Sequence, residues 1–161
     1  MSSTLITPNL ETVTGTGGAS MILLGTQSAS NTPTITFLAI PSIYQQLEFR
    51  LTAVGPASGN GNLNIGFSTS AVGGTWSTLQ IATGVNPHTS NFGFSGVIYV
   101  APFTNAPQIS AFGISQGVGT VSTSAAASSL GGQAQSIQFT FTGATSNNIY
   151  GSFSLYGIRT S

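Results

Sequence analysis

The sequence predicts an all-β protein, an antiparallel β-sandwich of jelly-roll type. Three observations lead there. Short stretches repeatedly alternate apolar with polar residues at period two, clusters of Gly, Pro and Asn separate them at even spacing, and no stretch carries a convincing amphipathic helical period. About eight to ten short strands are expected on that pattern. An up-and-down barrel is the lesser alternative.

Taken in order, residues 1–18 are rich in Thr, Ser and Asn and end in Gly15-Thr16-Gly17-Gly18. As a terminal segment they form either a first edge strand or an arm laid on a neighbour. Residues 19–161 then make a single β-sandwich domain. Ser20 to Leu24 reads as a short buried strand closed by Gly25, and Thr34 to Ile40 as a strand fenced by Pro33 and Pro41. The clearest alternation follows: Leu47, Phe49, Leu51 and Ala53 point inward, with Gln46, Glu48, Arg50 and Thr52 outward on a solvated face.

Gly55 to Asn62 reads as a loop by composition, and Leu63, Ile65 and Phe67 as the next strand. Gly73-Gly74 marks a turn, and Trp76 to Ile81 a strand of less regular pattern. Asn86-Pro87-His88 is a turn cluster carrying the sole histidine. Val97 to Phe103 and Gln108 to Ile114 are strands separated by Pro102 and Pro107. Thr120 to Gln135, with Ala125-Ala126-Ala127, is read as strand pieces and a loop, because flanking Ser, Thr and Gly weaken a helix. The end of the chain reads as a hairpin. Ile137, Phe139 and Phe141 alternate with Gln138, Thr140 and Thr142, and beyond the connection Gly143 to Asn148, Phe153 and Leu155 alternate with Ser152 and Ser154.

The chain's 161 residues suit one domain with a real core, and with no cysteine it must hold by packing and backbone hydrogen bonds alone. Charge is the unusual quantity. Only Glu11, Glu48, Arg50 and Arg159 are charged, 2% of residues, against about 25% in ordinary soluble domains. With 40% hydrophobic residues and a mean hydropathy of +0.30, the chain lacks the low hydrophobicity and high net charge of disorder. A near-neutral surface favours association with other copies or other proteins, through contacts that salt barely screens.

Met21 to Leu24 is too short an apolar run for a membrane span or a signal-peptide core, so a soluble protein made in the cytoplasm is expected, with no membrane partner. Two arginines far apart in sequence cannot neutralise several phosphates, which argues against nucleic acid. Catalysis fails on inventory. Glu11 and Glu48 are the only acids, no Gly-x-Ser-x-Gly elbow surrounds a serine, and His88 stands in a polar loop without Asp or Cys anywhere in the chain. No catalytic residue, metal ligand or cofactor is therefore assigned. The candidate interaction residues are the aromatics with a polar handle, Trp76, Tyr99, Tyr150 and Tyr156.

Two stretches carry a resemblance. Ile40-Pro41-Ser42-Ile43-Tyr44-Gln45-Gln46-Leu47-Glu48-Phe49-Arg50 and the closing Ser152-Phe153-Ser154-Leu155-Tyr156-Gly157-Ile158-Arg159 resemble the β-sandwich module of tailed-bacteriophage virion proteins, found on head fibres, capsid decorations and tail fibres. The likeness runs in order from about Thr34 to Thr160. It departs at Gly66-Phe67-Ser68-Thr69, where members of the group often carry a Phe-Asn-Gly-Asp turn. The resemblance implies a non-enzymatic virion protein that decorates or cements a capsid as a homo-oligomer, a trimer, against the major capsid protein or another virion protein. The alternative it leaves open is a receptor- or carbohydrate-binding tail module, and a tail-tube or baseplate domain is a third.

Overall fold

Alternation of apolar and polar side chains along nearly every strand leaves each sheet one face that must be covered, and two sheets cover each other. The computed structural model describes residues 2–5, 20–88, 93–101, 108–115, 119–126 and 132–159. Among them run β1 (Ser2–Leu5), β2 (Ser20–Thr32), β3 (Ile35–Leu38), β4 (Gln46–Ser58), β5 (Gly61–Ser68), β6 (Ser77–Val85), β7 (Phe94–Ala101), β8 (Gln108–Ser115), β9 (Gly119–Ala126), β10 (Ser136–Thr142) and β11 (Ser146–Arg159). One sheet has the order β1-β3-β10-β5-β6 and the other β2-β11-β4-β7-β8-β9. Within these, β2-β11-β4-β7 and β3-β10-β5-β6 form the eight-strand, double Greek-key pattern of a jelly roll. The extra strands are β1, parallel to β3, and the β8–β9 hairpin, which widens the second sheet.

Several sequence expectations are corrected. The C-terminal strands are not a hairpin: β10 pairs with β3 and β5, whereas β11 pairs with β2 and β4 in the other sheet. Both have an inward apolar face, so alternation is satisfied equally by pairing or by crossing over. Nor is Ser20 to Leu24 a short buried strand, since β2 continues through Gly25 to Thr32 and exposes Met21 and Leu23. Four consecutive apolar residues in a strand point to both faces, and only one of these faces is covered.

The expected loop from Gly55 is largely strand too, because β4 extends to Ser58. Ladder irregularities absorb the change. Ala53 sits at φ 52° and is exposed, and Val54 takes the core position that alternation gives to Ala53. Glu48 is not solvated: it is only 6% exposed. Trp76 precedes β6 rather than opening it. Pro102, Phe103 and Pro107 lie outside the described residues, as do residues 6–19 and 127–131.

The core is a chain of phenylalanines alternating between sheets. Phe37 of β3 meets Phe49 of β4 edge-to-face at 5.5 Å, Phe49 meets Phe139 of β10 at 5.1 Å, and Phe139 meets Phe153 of β11 at 5.1 Å. Such offset and T-shaped geometries align ring edges with ring faces and add to the gain from burial. Ile35, Leu47, Leu63, Ile65, Ile137 and Leu155 fill the space around them with no exposed surface.

Tyr44 closes one end of this core. It is 4% exposed and its ring lies over Gly157, where a Cβ would fall inside contact distance of the ring, while the Gln45 amide donates to the Ile158 carbonyl at 3.1 Å. Burial pushes the Tyr44 hydroxyl above its ordinary 10.0, with the Arg159 charge opposing. The folded protein then holds this proton more tightly than the unfolded chain. Stability attributable to Tyr44 is therefore level below about pH 10 and falls as pH rises through the folded-state value. Urea midpoints measured across the alkaline range check this, and a Tyr44→Phe variant should lose that component of the decline.

Candidate interaction surface

The outward face of the six-stranded sheet is built by the same alternation that builds the core. On β4, Glu48 and Arg50 point away from the sandwich, and register places Tyr156 of β11 on one side of Glu48 and Tyr99 of β7 on the other. Arg50 Nε donates to Glu48 Oε1 at 2.7 Å, and the guanidinium carbon stands 4.6 Å from the centroid of the Tyr156 ring, a cation–π contact. Arg50 Nη2 also lies 4.0 Å from Met21 Sδ on β2. The hydrogen bond to Glu48, followed by the charge of that carboxylate, holds the Arg50 guanidinium above its ordinary pKa.

Two of the chain's four charges thus neutralise each other beneath an aromatic and thioether cover. Arg50 itself stays half-exposed, whereas Glu48 is shut from water. Removing Arg50 would leave a buried carboxylate without its donor, but removing the Glu48 charge leaves a guanidinium that water can reach. Arg50→Ala should therefore lower the melting temperature more than Glu48→Gln does, and adding Glu48→Gln to Arg50→Ala should restore part of the loss. Thermal denaturation of the three variants checks the order.

Around this centre apolar side chains stand among serines and threonines. Leu23 pairs across to Tyr156, and Met21 to Ile158. On the far side Phe112 lies opposite Val97 and Ile114 opposite Ser95. Met21, Leu23, Phe112 and Ile114 are all exposed, Ile114 by 66%. On β8 the larger side chains face out because the Phe94 ring occupies the space inward of Gly113, where a Cβ would collide with it. Ile109 and Ala111 supply the buried side of that strand.

Of the four aromatics singled out from sequence, the fold brings together Tyr99 and Tyr156. Trp76, just before β6, lies against the other sheet, half-buried over Gly66 and Gly73, where added Cβ atoms would meet its side chain at 3.4 and 2.9 Å. Tyr150 stacks on His88 with centroids 4.4 Å apart and planes 4° from parallel, so one face of its ring is taken. Sequence reasoning missed Met21, Leu23, Phe112 and Ile114. The available signal was apolar residues at both parities of one strand, which forces some of them outward in any half-covered sheet. Among the described residues no group of three or more His, Cys, Asp and Glu side chains comes together. No family model matches the chain, and no curated protein matches it.

Proposed function

We propose that the protein is a non-enzymatic structural component of a bacteriophage particle, a capsid decoration or cement protein that stabilises the shell through protein–protein contacts and associates with its own copies. The virion assignment rests on the resemblance of the two quoted stretches. The assembly role rests on one observation: a sheet face rich in apolar and aromatic side chains, whose two charges are already paired with each other. A partner for such a face need bring no charge, and its contacts lose little in salt. Many modest contacts repeated over a shell sum to firm attachment. With Trp76 half-buried and one face of the Tyr150 ring taken by His88, this reading is favoured over glycan stacking.

The test is reconstitution. Purified protein added to particles stripped of it should rebind in many copies per shell, raise the melting temperature of the particle, and do both nearly independently of sodium chloride concentration. Failure to bind, or copies confined to a tail tip, would overturn the proposal.

A further inference from the structure

Among the described residues the edge of β2 is open and has the properties of a sheet-extension site, and we infer that it pairs with β2 of a second copy of this chain about a two-fold axis. β2 is an outer strand of the six-stranded sheet, 13 residues long, and among the described residues β11 is its only ladder partner. An edge strand leaves a row of backbone donors and acceptors open, and proteins that must stay single blunt such edges with charges, proline or brevity. β2 has none of these: Ser20–Thr32 reads SMILLGTQSASNT, without Lys, Arg, Asp, Glu or Pro. By contrast β1, the edge of the facing sheet on that side, is only four residues long.

Register favours self-pairing over a central segment. The β2–β11 ladder is irregular near Leu24 and again near Asn31, and between them Gly25 to Ser30 is paired without a break. Thr26, Ser28 and Ser30 point outward and are exposed, whereas Gln27 and Ala29 are buried. Directly opposed residues of an antiparallel pair share a face, so a two-fold axis must lie midway between a residue and its own copy. An axis at Ser28 sets Thr26 against Ser30, Ser28 against its own copy, and Gln27 against Ala29. All outward pairs are then hydroxyl pairs, which hydrogen-bond across strands. No pair is bulky and none opposes like charges, the usual obstacle when a strand meets itself.

The consequence is a continuous sheet through two molecules, with their outward faces, each bearing Met21, Leu23 and Tyr156, side by side. This inference stands on the edge and not on the identity of any shell, so it holds whether or not the decoration proposal does. A two-fold contact gives even-numbered assembly, in contrast to the trimer that the resemblance implies.

Sedimentation velocity over a wide concentration range, a Ser28→Cys variant and a Ser28→Lys variant test it. The chain has no cysteine, so Ser28→Cys places a single thiol on the axis, and directly opposed strand residues lie within disulfide reach at Cα separations of about 4.5–5.5 Å. The expected results are a species of twice 16.3 kDa, a covalent dimer from Ser28→Cys under mild oxidation, and a folded monomer from Ser28→Lys. A control thiol at the exposed Thr52 should not cross-link. A wild-type chain that stays monomeric throughout overturns the inference, as does an oligomer, trimeric or otherwise, that survives Ser28→Lys. The cysteine variant keeps the test open should the lysine variant fail to fold.

Discussion

Phe139→Ala should cost about 3–5 kcal/mol of unfolding free energy, the range for removing a buried aromatic ring when the surroundings close only partly over the space. The upper half of that range is expected here. Phe139 is fully buried and touches two rings of the opposite sheet, Phe49 and Phe153, so its loss opens a void at the junction of the layers and removes two ring contacts together. Neither neighbour can move in to fill the void. Both are held by ladders on two sides, β4 by β11 and β7, and β11 by β2 and β4. Phe37, at the end of the ring chain with a single ring partner, is the internal comparison, and Phe37→Ala should cost less. Urea titrations of both variants, with the slope of free energy against urea unchanged, check the difference. If Phe37→Ala proves the costlier, the ring chain is not the unit that joins the sheets. A double-mutant cycle with Phe49→Ala should show coupling of about 0.5–1.5 kcal/mol, the size measured for aromatic pairs beyond burial.

How much of this was legible in the sequence depended on which physical rule each residue obeys. Leu47, Phe49, Leu51, Ile137, Phe139, Phe153 and Leu155 follow strict alternation, and every one of them is buried. Alternation specifies a face but no partner strand, which is why β10 and β11 could be mistaken for a hairpin. The extent of strands was less legible still. Gly55 and Pro56 are loop residues by composition, but the ladder irregularity around Ala53 lets β4 carry them into register with Tyr150 and Ile149. Of the candidate surface, Tyr99 and Tyr156 were legible as single residues. Their meeting across Glu48 was not, because it depends on β11, β4 and β7 lying side by side, a long-range pairing that no local pattern encodes. Burial of Glu48 follows from the same adjacency. On an isolated strand it would face water, and in the sheet it lies between two tyrosines with Arg50 bonded to it.

Gly157→Ala should cost about 3 kcal/mol, the upper end for overpacking a filled site. The added carbon would fall against Cγ, Cδ1 and Cε1 of Tyr44, so the ring as a whole must shift, and no flexible tip can swing away. Tyr44 cannot shift freely, because the next residue, Gln45, is tied through its amide to the Ile158 carbonyl. The two stretches that carry the resemblance are in this way one device. Tyr44 from the first caps the core by lying on Gly157 of the second, and neither residue has its role without the other. A double-mutant cycle makes that dependence measurable. Tyr44→Ala alone should cost about 3–5 kcal/mol as a buried aromatic truncated to a methyl. With the ring gone, Gly157→Ala meets little resistance, so the double variant should cost nearly the same as Tyr44→Ala and well below the sum of the two. Additive costs would mean that Gly157 is required for its backbone alone, and that Tyr44 and the closing strand are packed independently.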